Sequence, residues 1–226
     1  MSYRVRIKMC GTTSLEDAWA AVDMGVDALG FIFTRKSPRY IEPDRAAEII
    51  SLLPPFVSRV GVFVDNSMET VRTIIRSAGL TQVQLHGSEP VPFCSELKTS
   101  VKCCSVCKAF RINRKQLADA DMAKQISIYE QVVDSVLLDS YQKGVEGGTG
   151  AVFDWELIDE LGLQKPLILA GGLNPDNVAE AVRRVRPYAI DVNSGVEDAP
   201  GEKNHQKLKT LIEAVNKVQA ELRSRD

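Results

Sequence analysis

Short apolar runs recur along the chain, with longer amphipathic stretches between them. A run of four to eight apolar residues bounded by turn residues is typical of a buried strand. Ala28–Phe33 is nearly continuous in apolar residues, as expected for a parallel strand that is covered on both faces. The predicted strands are Val5–Met9, Ala28–Phe33, Val60–Val64, Gln82–Leu85, Val106–Phe110, Val136–Leu138, Pro166–Ala170 and Ala189–Val192.

Helix signals lie between these strands. Ser14 precedes Asp17 by three residues, which is the spacing of a capping box. Asn174 followed by Pro175 has the pattern of an N-cap residue and a first helical residue. The predicted helices begin at Ser14 and otherwise cover Pro43–Leu53, Ser67–Ala78, Pro90–Leu97, Arg114–Ile126, Asp154–Leu161, Pro175–Arg184 and Lys203–Leu222.

The alternation gives eight strand–helix units of about 28 residues each, close to the minimum for a crossover repeat. Sequential alternation of this kind forms either an open doubly wound sheet or a closed barrel. No Gly-x-Gly-x-x-Gly turn follows the first strand, and no linker or low-complexity segment divides the chain. The sequence therefore predicts an α/β fold, a single-domain (β/α)8 TIM barrel over residues 1–226.

Composition restricts the possible partners. The chain is 44% hydrophobic and 26% charged, as in an ordinary globular protein. A formal net charge of −2 provides no basic surface, so we expect neither nucleic acid nor an anionic membrane as a partner. The chain has no apolar run of the roughly 18 residues that a membrane span needs, and its first residues do not resemble a signal peptide. We expect a cytoplasmic protein.

Three of the five cysteines are close together, at Cys103, Cys104 and Cys107. A structural zinc site needs four ligands at recurring spacings, and neither a second cysteine pair nor a neighbouring histidine completes one here. We expect buried strand and loop thiols in a reducing compartment, and no metal.

Glycines follow the last two predicted strands. Gly171-Gly172 comes directly after the seventh strand and Ser194-Gly195 after the eighth. Backbone N–H groups at two adjacent turns form a cup for an anion. In a (β/α)8 barrel, the loops after strands seven and eight are a frequent phosphate site. The alternative is two glycine-rich turns without a ligand.

Cys10 ends the first strand, where active-site residues of such barrels lie. The period-2 alternation puts Ile7 and Met9 on one face of the strand, and Lys8 and Cys10 on the other. The apolar pair suits the helix layer, so we expect Lys8 and Cys10 to face the barrel interior. A buried lysine needs a carboxylate, and Asp191 on the adjacent eighth strand is the candidate. The Lys8 charge would favour the thiolate of Cys10. A cysteine before a glycine is otherwise often only a small buried residue.

Two further residues are candidates because of where they follow strands. Asp139 closes the apolar sixth strand, and a desolvated carboxyl has a raised proton affinity that suits a general acid. A role in capping the next turn is the alternative. Arg39, in a proline-containing loop after the second strand, is able to form two parallel bonds to a carboxylate. An exposed loop arginine is otherwise usually only solvated.

Taken together, the motifs of the chain resemble the phosphoribosylanthranilate isomerase family of tryptophan biosynthesis. The resemblance extends in order along the whole chain and is weakest over Thr99–Asp134. The segments that carry it are Lys8–Gly11, Gly30–Phe33, Ser37–Ile41, Val60–Phe63, Val83–Gly87, Leu137–Ser140, Gly147–Gly150 with Phe153–Trp155, Pro166–Val178 and Tyr188–Glu197.

This resemblance implies a cofactor-free Amadori rearrangement of N-(5-phosphoribosyl)anthranilate. It implies that Cys10 is the general base, Asp139 the general acid and Arg39 the residue that holds the anthranilate carboxylate. It also implies that Gly148 and Gly150 contribute to substrate binding, alongside Gly171, Gly172, Ser194 and Gly195. The implied partner is a small phosphosugar, and the protein would be a monomer or a homodimer. Ala151 departs from the family, where a lysine is common, so this position does not supply the loop contact that a lysine side chain would make.

Two other functions remain open at this point. A phosphosugar aldolase would use a Schiff-base lysine, and Lys108 is the only lysine on the fifth or sixth strand; this reading leaves Cys10 unexplained. A non-catalytic phosphate-binding protein would keep the glycine cup without turnover.

Overall fold

The computed structural model describes residues 3–112, 120–139 and 155–224. Eight parallel strands close into a barrel in chain order, so the predicted (β/α)8 fold is confirmed. The eighth strand pairs with the first over the full length of the first, which closes the ring. The strands are β1 Arg6–Met9, β2 Ala28–Ile32, β3 Ser58–Phe63, β4 Gln82–Leu85, β5 Ser105–Arg111, β6 Ser135–Asp139, β7 Leu167–Ala170 and β8 Ala189–Val192.

Helices surround the barrel. The first begins as predicted, because the Ser14 side chain accepts a hydrogen bond of 3.1 Å from the Asp17 N–H. Two 3₁₀ turns, Trp155–Leu161 and Ser194–Val196, lie near the end of the chain. The α-helices in the described ranges are α1 Leu15–Asp23, α2 Pro43–Ser51, α3 Met68–Ala78, α4 Val91–Ser100, α5 Ala120–Glu130, α6 Val178–Val185 and α7 His205–Arg223.

The helix predicted over Pro175–Arg184 begins three residues late, at Val178. The Asn174 side chain does bind the backbone as predicted, since it accepts from the N–H groups of Asp176 at 2.9 Å and Asn177 at 3.2 Å. The Asn177 side chain also accepts from the Asn174 N–H, at 2.9 Å. These local side-chain bonds stabilise a turn in place of the first α-helical turn.

Three other predicted helices differ from the structure. The segment over Asp154–Leu161 is a 3₁₀ helix from Trp155, and Asp154 is outside the described residues. The last helix begins at His205 and not at Lys203, because two short antiparallel strands precede it: β9 Glu197–Ala199 and β10 Glu202–Lys203. The helix predicted over Arg114–Ile126 corresponds to α5, and residues 113–119 are outside the described ranges.

The barrel has two apolar regions, one between sheet and helices and one inside the ring of strands. Ile7 and Met9 pack in the outer region, against the helices. Cys10 belongs to an inner cluster with Ile32 and Val62, so the predicted alternation along β1 is correct. A second inner cluster combines small and aliphatic side chains, namely Cys107, Ala109, Leu137, Ile168, Ala170 and Ala189. Among the helices that the structure describes, none is long and apolar enough to span a membrane.

Candidate active site

An ion pair lies inside the barrel below the end of β1. Lys8 and Asp191 are register partners on β1 and β8, and Lys8 Nζ donates to Asp191 Oδ1 at 2.8 Å. Only 5% and 7% of the two side chains are exposed, so the predicted pairing is confirmed. Burial lowers the pKa of Lys8, but the charges and hydrogen bonds of Asp191 and Cys10 together outweigh burial, and the net shift is upward. Lys8 therefore carries a fixed positive charge inside the barrel.

Cys10 lies directly above this pair and is buried. A Cβ atom built on Gly30 would lie 2.9 Å from Cys10 Sγ and 3.0 Å from Lys8 Nζ, so both groups meet over the glycine of β2. Burial raises the pKa of the Cys10 thiol, and Lys8 lowers it. The influence predicted for Lys8 has the right direction, but burial outweighs it and the net shift is upward.

Asp139 ends β6 and contacts a histidine that sequence reasoning did not assign to the site. His86 Nε2 lies 3.3 Å from Asp139 Oδ2, and His86 Nδ1 lies 2.9 Å from Gln84 Nε2. With the Gln84 amide donating to Nδ1, the ring donates from Nε2 to the carboxylate. A signal for this was available: Gln84 and His86 alternate with Val83 and Leu85, which puts the two polar residues on one face.

Arg39 is held by a carboxylate of the protein. Its Nε lies 2.9 Å from Glu197 Oε1 and its Nη2 lies 2.5 Å from Oε2. Lys203 Nζ donates to the same carboxylate at 2.6 Å. The Arg39 side chain is 17% exposed and is not a solvated loop residue. Sequence reasoning missed Glu197 and Lys203, which lie on β9 and β10.

The two glycine-containing loops touch each other. Gly171 and Gly172 have φ angles of 94° and 65°, which favour glycine. A Cβ on Gly195 would lie 2.0 Å from the Leu173 carbonyl oxygen, so the loop after β8 packs directly on the loop after β7. A Cβ on Gly172 would have no atom within 4 Å. Gly148, Gly150 and Ala151 lie outside the described residues.

The strand order sets how these groups face one another. Asp139, the last residue of β6, and Cys10, directly after β1, are separated by β7 and β8. The loops that carry Gly172 and Ser194 therefore lie between them on the rim. A ligand anchored on these loops would reach a carboxyl group on one side and a thiol on the other.

Lys108 has a different environment from a Schiff-base lysine. Its Nζ donates to Glu89 Oε2 at 2.8 Å, to the Gly87 carbonyl at 2.7 Å and to the Leu85 carbonyl at 3.4 Å. All three ammonium donors thus have acceptors in the protein, which disfavours a free amine nucleophile. The aldolase interpretation has no support from this geometry.

The cysteine cluster separates into two kinds of residue. Cys104 and Cys107 are buried as expected, whereas Cys103 is exposed, so the expectation was wrong for that residue. All five cysteines are free thiols. Within the described ranges, no group of three or more histidine, cysteine or acidic side chains is arranged to hold a metal ion.

These features define a class: a (β/α)8 barrel of the enzyme type, with its polar residues at the carboxyl ends of the strands. The profile of the family described as PRAI, N-(5'phosphoribosyl)anthranilate (PRA) isomerase, matches residues 7–214. The chain belongs to this family. The N-(5'-phosphoribosyl)anthranilate isomerase of Trichlorobacter lovleyi is 46% identical over 209 residues, which are 92% of this chain and 96% of that protein.

Solved structures agree with this assignment. A phosphoribosyl anthranilate isomerase in complex with reduced 1-(o-carboxyphenylamino)-1-deoxyribulose 5-phosphate has a TM-score of 0.82 and 39% identity, over 95% of this chain and 100% of that one. Monomers of the dimeric enzyme from Thermotoga maritima have a TM-score of 0.80 and 38% identity, over the same shares of the two chains.

Proposed function

We propose that the protein converts N-(5-phosphoribosyl)anthranilate to 1-(2-carboxyphenylamino)-1-deoxyribulose 5-phosphate, without a cofactor. The observation that carries the proposal is the pairing of an interior thiol on β1 with a carboxyl group on β6, at the same rim of one barrel. The family membership of the chain and the bound analogue in its relative support the choice of substrate.

In the first step, Asp139 donates a proton to the ribose ring oxygen. The bond between that oxygen and C1′ breaks, and the lone pair of the anthranilate nitrogen forms a protonated Schiff base. His86 donates to Asp139 Oδ2 and thereby fixes the orientation of the carboxyl group.

In the second step, the thiolate of Cys10 removes the proton from C2′. The electrons of that bond form an enolamine, and the iminium nitrogen becomes neutral. The hydroxyl at C2′ then loses its proton to solvent while C1′ gains one from solvent, which gives the ketone. Cys10 releases its proton to solvent and Asp139 takes one up, so both groups return to their starting states. No atom is gained or lost overall, as required of an isomerisation.

Lys8 supplies the electrostatic part of this step. It is a buried cation next to Cys10, and its charge lowers the pKa of a thiol that burial raises. Asp191 accepts a hydrogen bond from the ammonium and holds it in place. The thiolate thus has a counter-charge although water has little access to it.

Substrate binding would divide between two ends of the molecule. The backbone at Gly171-Gly172 and Ser194-Gly195 holds the phosphate, and Arg39 holds the anthranilate carboxylate. Fixing both ends orients C1′ and C2′ between Asp139 and Cys10.

The test is a fluorescence assay of phosphoribosylanthranilate consumption by the purified protein. We expect turnover in buffer without added cofactor. If the protein binds a reduced product analogue but consumes no substrate, it is a binding protein and the proposal is wrong. Covalent labelling of Lys108 by borohydride in the presence of substrate would instead indicate aldolase chemistry.

A further inference from the structure

Three charged side chains from separate segments meet beside the candidate site. Arg39 comes from the loop after β2, Glu197 from β9 and Lys203 from β10. Glu197 bonds to both of the others, at 2.5 Å from Arg39 Nη2 and 2.6 Å from Lys203 Nζ. The Glu197 side chain is 3% exposed and the Lys203 side chain is fully buried. We call these three residues the charge cluster.

The charges of the cluster do not cancel. Burial raises the pKa of Glu197, but the hydrogen bonds and charges of Arg39 and Lys203 together lower it by more than burial raises it. The net shift is downward, so the carboxyl group is ionised at neutral pH. Arg39 with Glu197 alone would be a neutral pair and would attract a substrate carboxylate only weakly. Burial lowers the pKa of Lys203, and the Glu197 carboxylate opposes that shift. Lys203 thus adds a second positive charge, and the formal charges of these three residues sum to about +1.

Lys203 is placed to attract an anionic ligand by its charge without contacting that ligand. Its ammonium donates to Glu197 and to Asn193, at 3.0 Å from Asn193 Oδ1 and 3.4 Å from the Asn193 carbonyl. These contacts use the three donors of the group. Its contribution to a ligand would therefore be electrostatic.

Glu197 constrains the direction of the Arg39 guanidinium. It contacts the Nε and Nη2 side of the planar group, which fixes that plane. The aliphatic part of the Arg39 side chain packs against the backbone of Gly11, since a Cβ atom built on Gly11 would lie 2.8 Å from Arg39 Cδ. Because Gly11 follows Cys10 directly, the orientation of Arg39 is tied to the backbone that carries the thiol.

We infer that Glu197 is a positioning residue for Arg39 and that Lys203 sustains the positive charge of the cluster, so that together they select substrates with a carboxylate on the aromatic ring. The inference rests on the proposed function, in which Arg39 binds that carboxylate. It adds two residues that determine specificity and do not contact the substrate.

The test compares two substrates, N-(5-phosphoribosyl)anthranilate and N-(5-phosphoribosyl)aniline, which lacks the carboxylate. The readout is the ratio of their kcat/KM values, with KM and kcat determined separately. Glu197→Gln should lower this ratio at least about tenfold, because Arg39 loses its orientation and with it a charged hydrogen bond to the substrate carboxylate. The loss should fall on the KM of the anthranilate substrate, and the KM of the aniline substrate should not change.

Electrostatics alone makes the opposite prediction for this variant. Glu197→Gln raises the net charge of the cluster, which would strengthen attraction for a carboxylate and raise the ratio. An unchanged or increased ratio therefore overturns the positioning role. Lys203→Met tests the charge role independently of whether Glu197→Gln folds. It should also lower the ratio, and an unchanged ratio would contradict that role.

Glu89→Gln is the matched control. Glu89 is also a buried carboxylate paired with a lysine, at 2.8 Å from Lys108 Nζ, but it lies in the loop after β4 and does not contact Arg39. We expect a lower Tm and an unchanged ratio. An equal fall of the ratio in this variant would mean that any lost ion pair has the effect, and the inference would be wrong. Wild-type protein that consumes neither substrate would instead reject the proposed function itself.

Discussion

The two sides of the candidate site are built from different interactions. On the side of β1 and β8, a buried thiol lies among charges, with the Lys8–Asp191 pair beneath it. On the side of β4 and β6, the carboxyl of Asp139 is 17% exposed and contacts the His86 ring, which in turn bonds to a neutral amide. One side is dry and ionic, and the other is partly open and joined by hydrogen bonds.

This difference fits the roles that we propose for the two groups. A thiol that leaves water must have a positive charge nearby to ionise, because burial opposes the charged form. A carboxyl that has to deliver a proton in one direction needs an orienting partner more than a counter-charge. The same barrel rim therefore carries two local environments suited to opposite proton transfers.

The largest effect should come from removing the thiol. Cys10→Ser should lower kcat by about 10²–10⁴, the usual contribution of a general base, and leave the affinity for a reduced product analogue within a few-fold. Steady-state kinetics and calorimetric titration check this. Cys94→Ser, which changes a buried thiol of α4, is the control and should keep wild-type kcat. A Cys10→Ser enzyme with more than roughly a tenth of the wild-type kcat would refute the base assignment.

The second-largest effect should come from changing the loop after β7, which lies between the two sides of the site. Gly172→Val should lower kcat/KM by about 10²-fold, because a side chain would enter the space of the phosphate and disturb the orientation of the substrate. Gly79→Val is a matched control, since Gly79 has the same φ of 65° and also no atom within 4 Å of a built Cβ. It caps the far end of α3. Equal losses of kcat/KM in both variants would mean that backbone strain, not phosphate contact, is responsible.

The ionic side can be altered without touching the thiol. Lys8→Met removes a charge that lowers the pKa of Cys10, so that pKa should rise. At a given pH less thiolate is present, and the pH of half-maximal inactivation by iodoacetamide should move upward. The double variant Lys8→Met/Asp191→Asn removes the opposing carboxylate as well and should shift less. A downward shift in Lys8→Met, or none, contradicts the role of Lys8.

The smallest effect is expected on the hydrogen-bonded side. His86→Gln should reduce kcat about five- to tenfold, since one bond that orients Asp139 is lost, and should leave KM close to the wild-type value. His205→Gln is the control, because His205 also contacts a carboxylate, at 2.7 Å from Asp17 Oδ1, between α7 and α1. Wild-type kcat in His86→Gln would show that the ring does not orient the acid.

Much of the ionic side was predictable from the sequence. The alternation along β1 identified Lys8 and Cys10 as interior residues, and the closure of the barrel identified Asp191 as the partner. These are local patterns of period two combined with one topological assumption. The fold and the Ser14 N-cap were also predictable from local patterns, namely the alternation of strands and helices and the three-residue spacing of Ser14 and Asp17.

Other features were not visible, for physical reasons. β9 and β10 have three and two residues with mixed polarity, which is too short for any periodic signal. Arg39 and Glu197 are also 158 residues apart in the sequence, and no local pattern indicates that they are in contact. The late start of α6 depended on a competition between Asn177 and the helical backbone that propensity does not resolve.

The division of roles between Cys10 and Asp139 is the central claim, and a substrate deuterated at C2′ tests it most directly. The measurement is the isotope effect on kcat in two variants, relative to wild type. In Cys10→Ser, removal of the C2′ proton should limit the rate, so the isotope effect should be large. In Asp139→Asn, ring opening should limit the rate, so the isotope effect should disappear. The reverse pattern, or a large isotope effect in both variants, would contradict the assignment of base and acid.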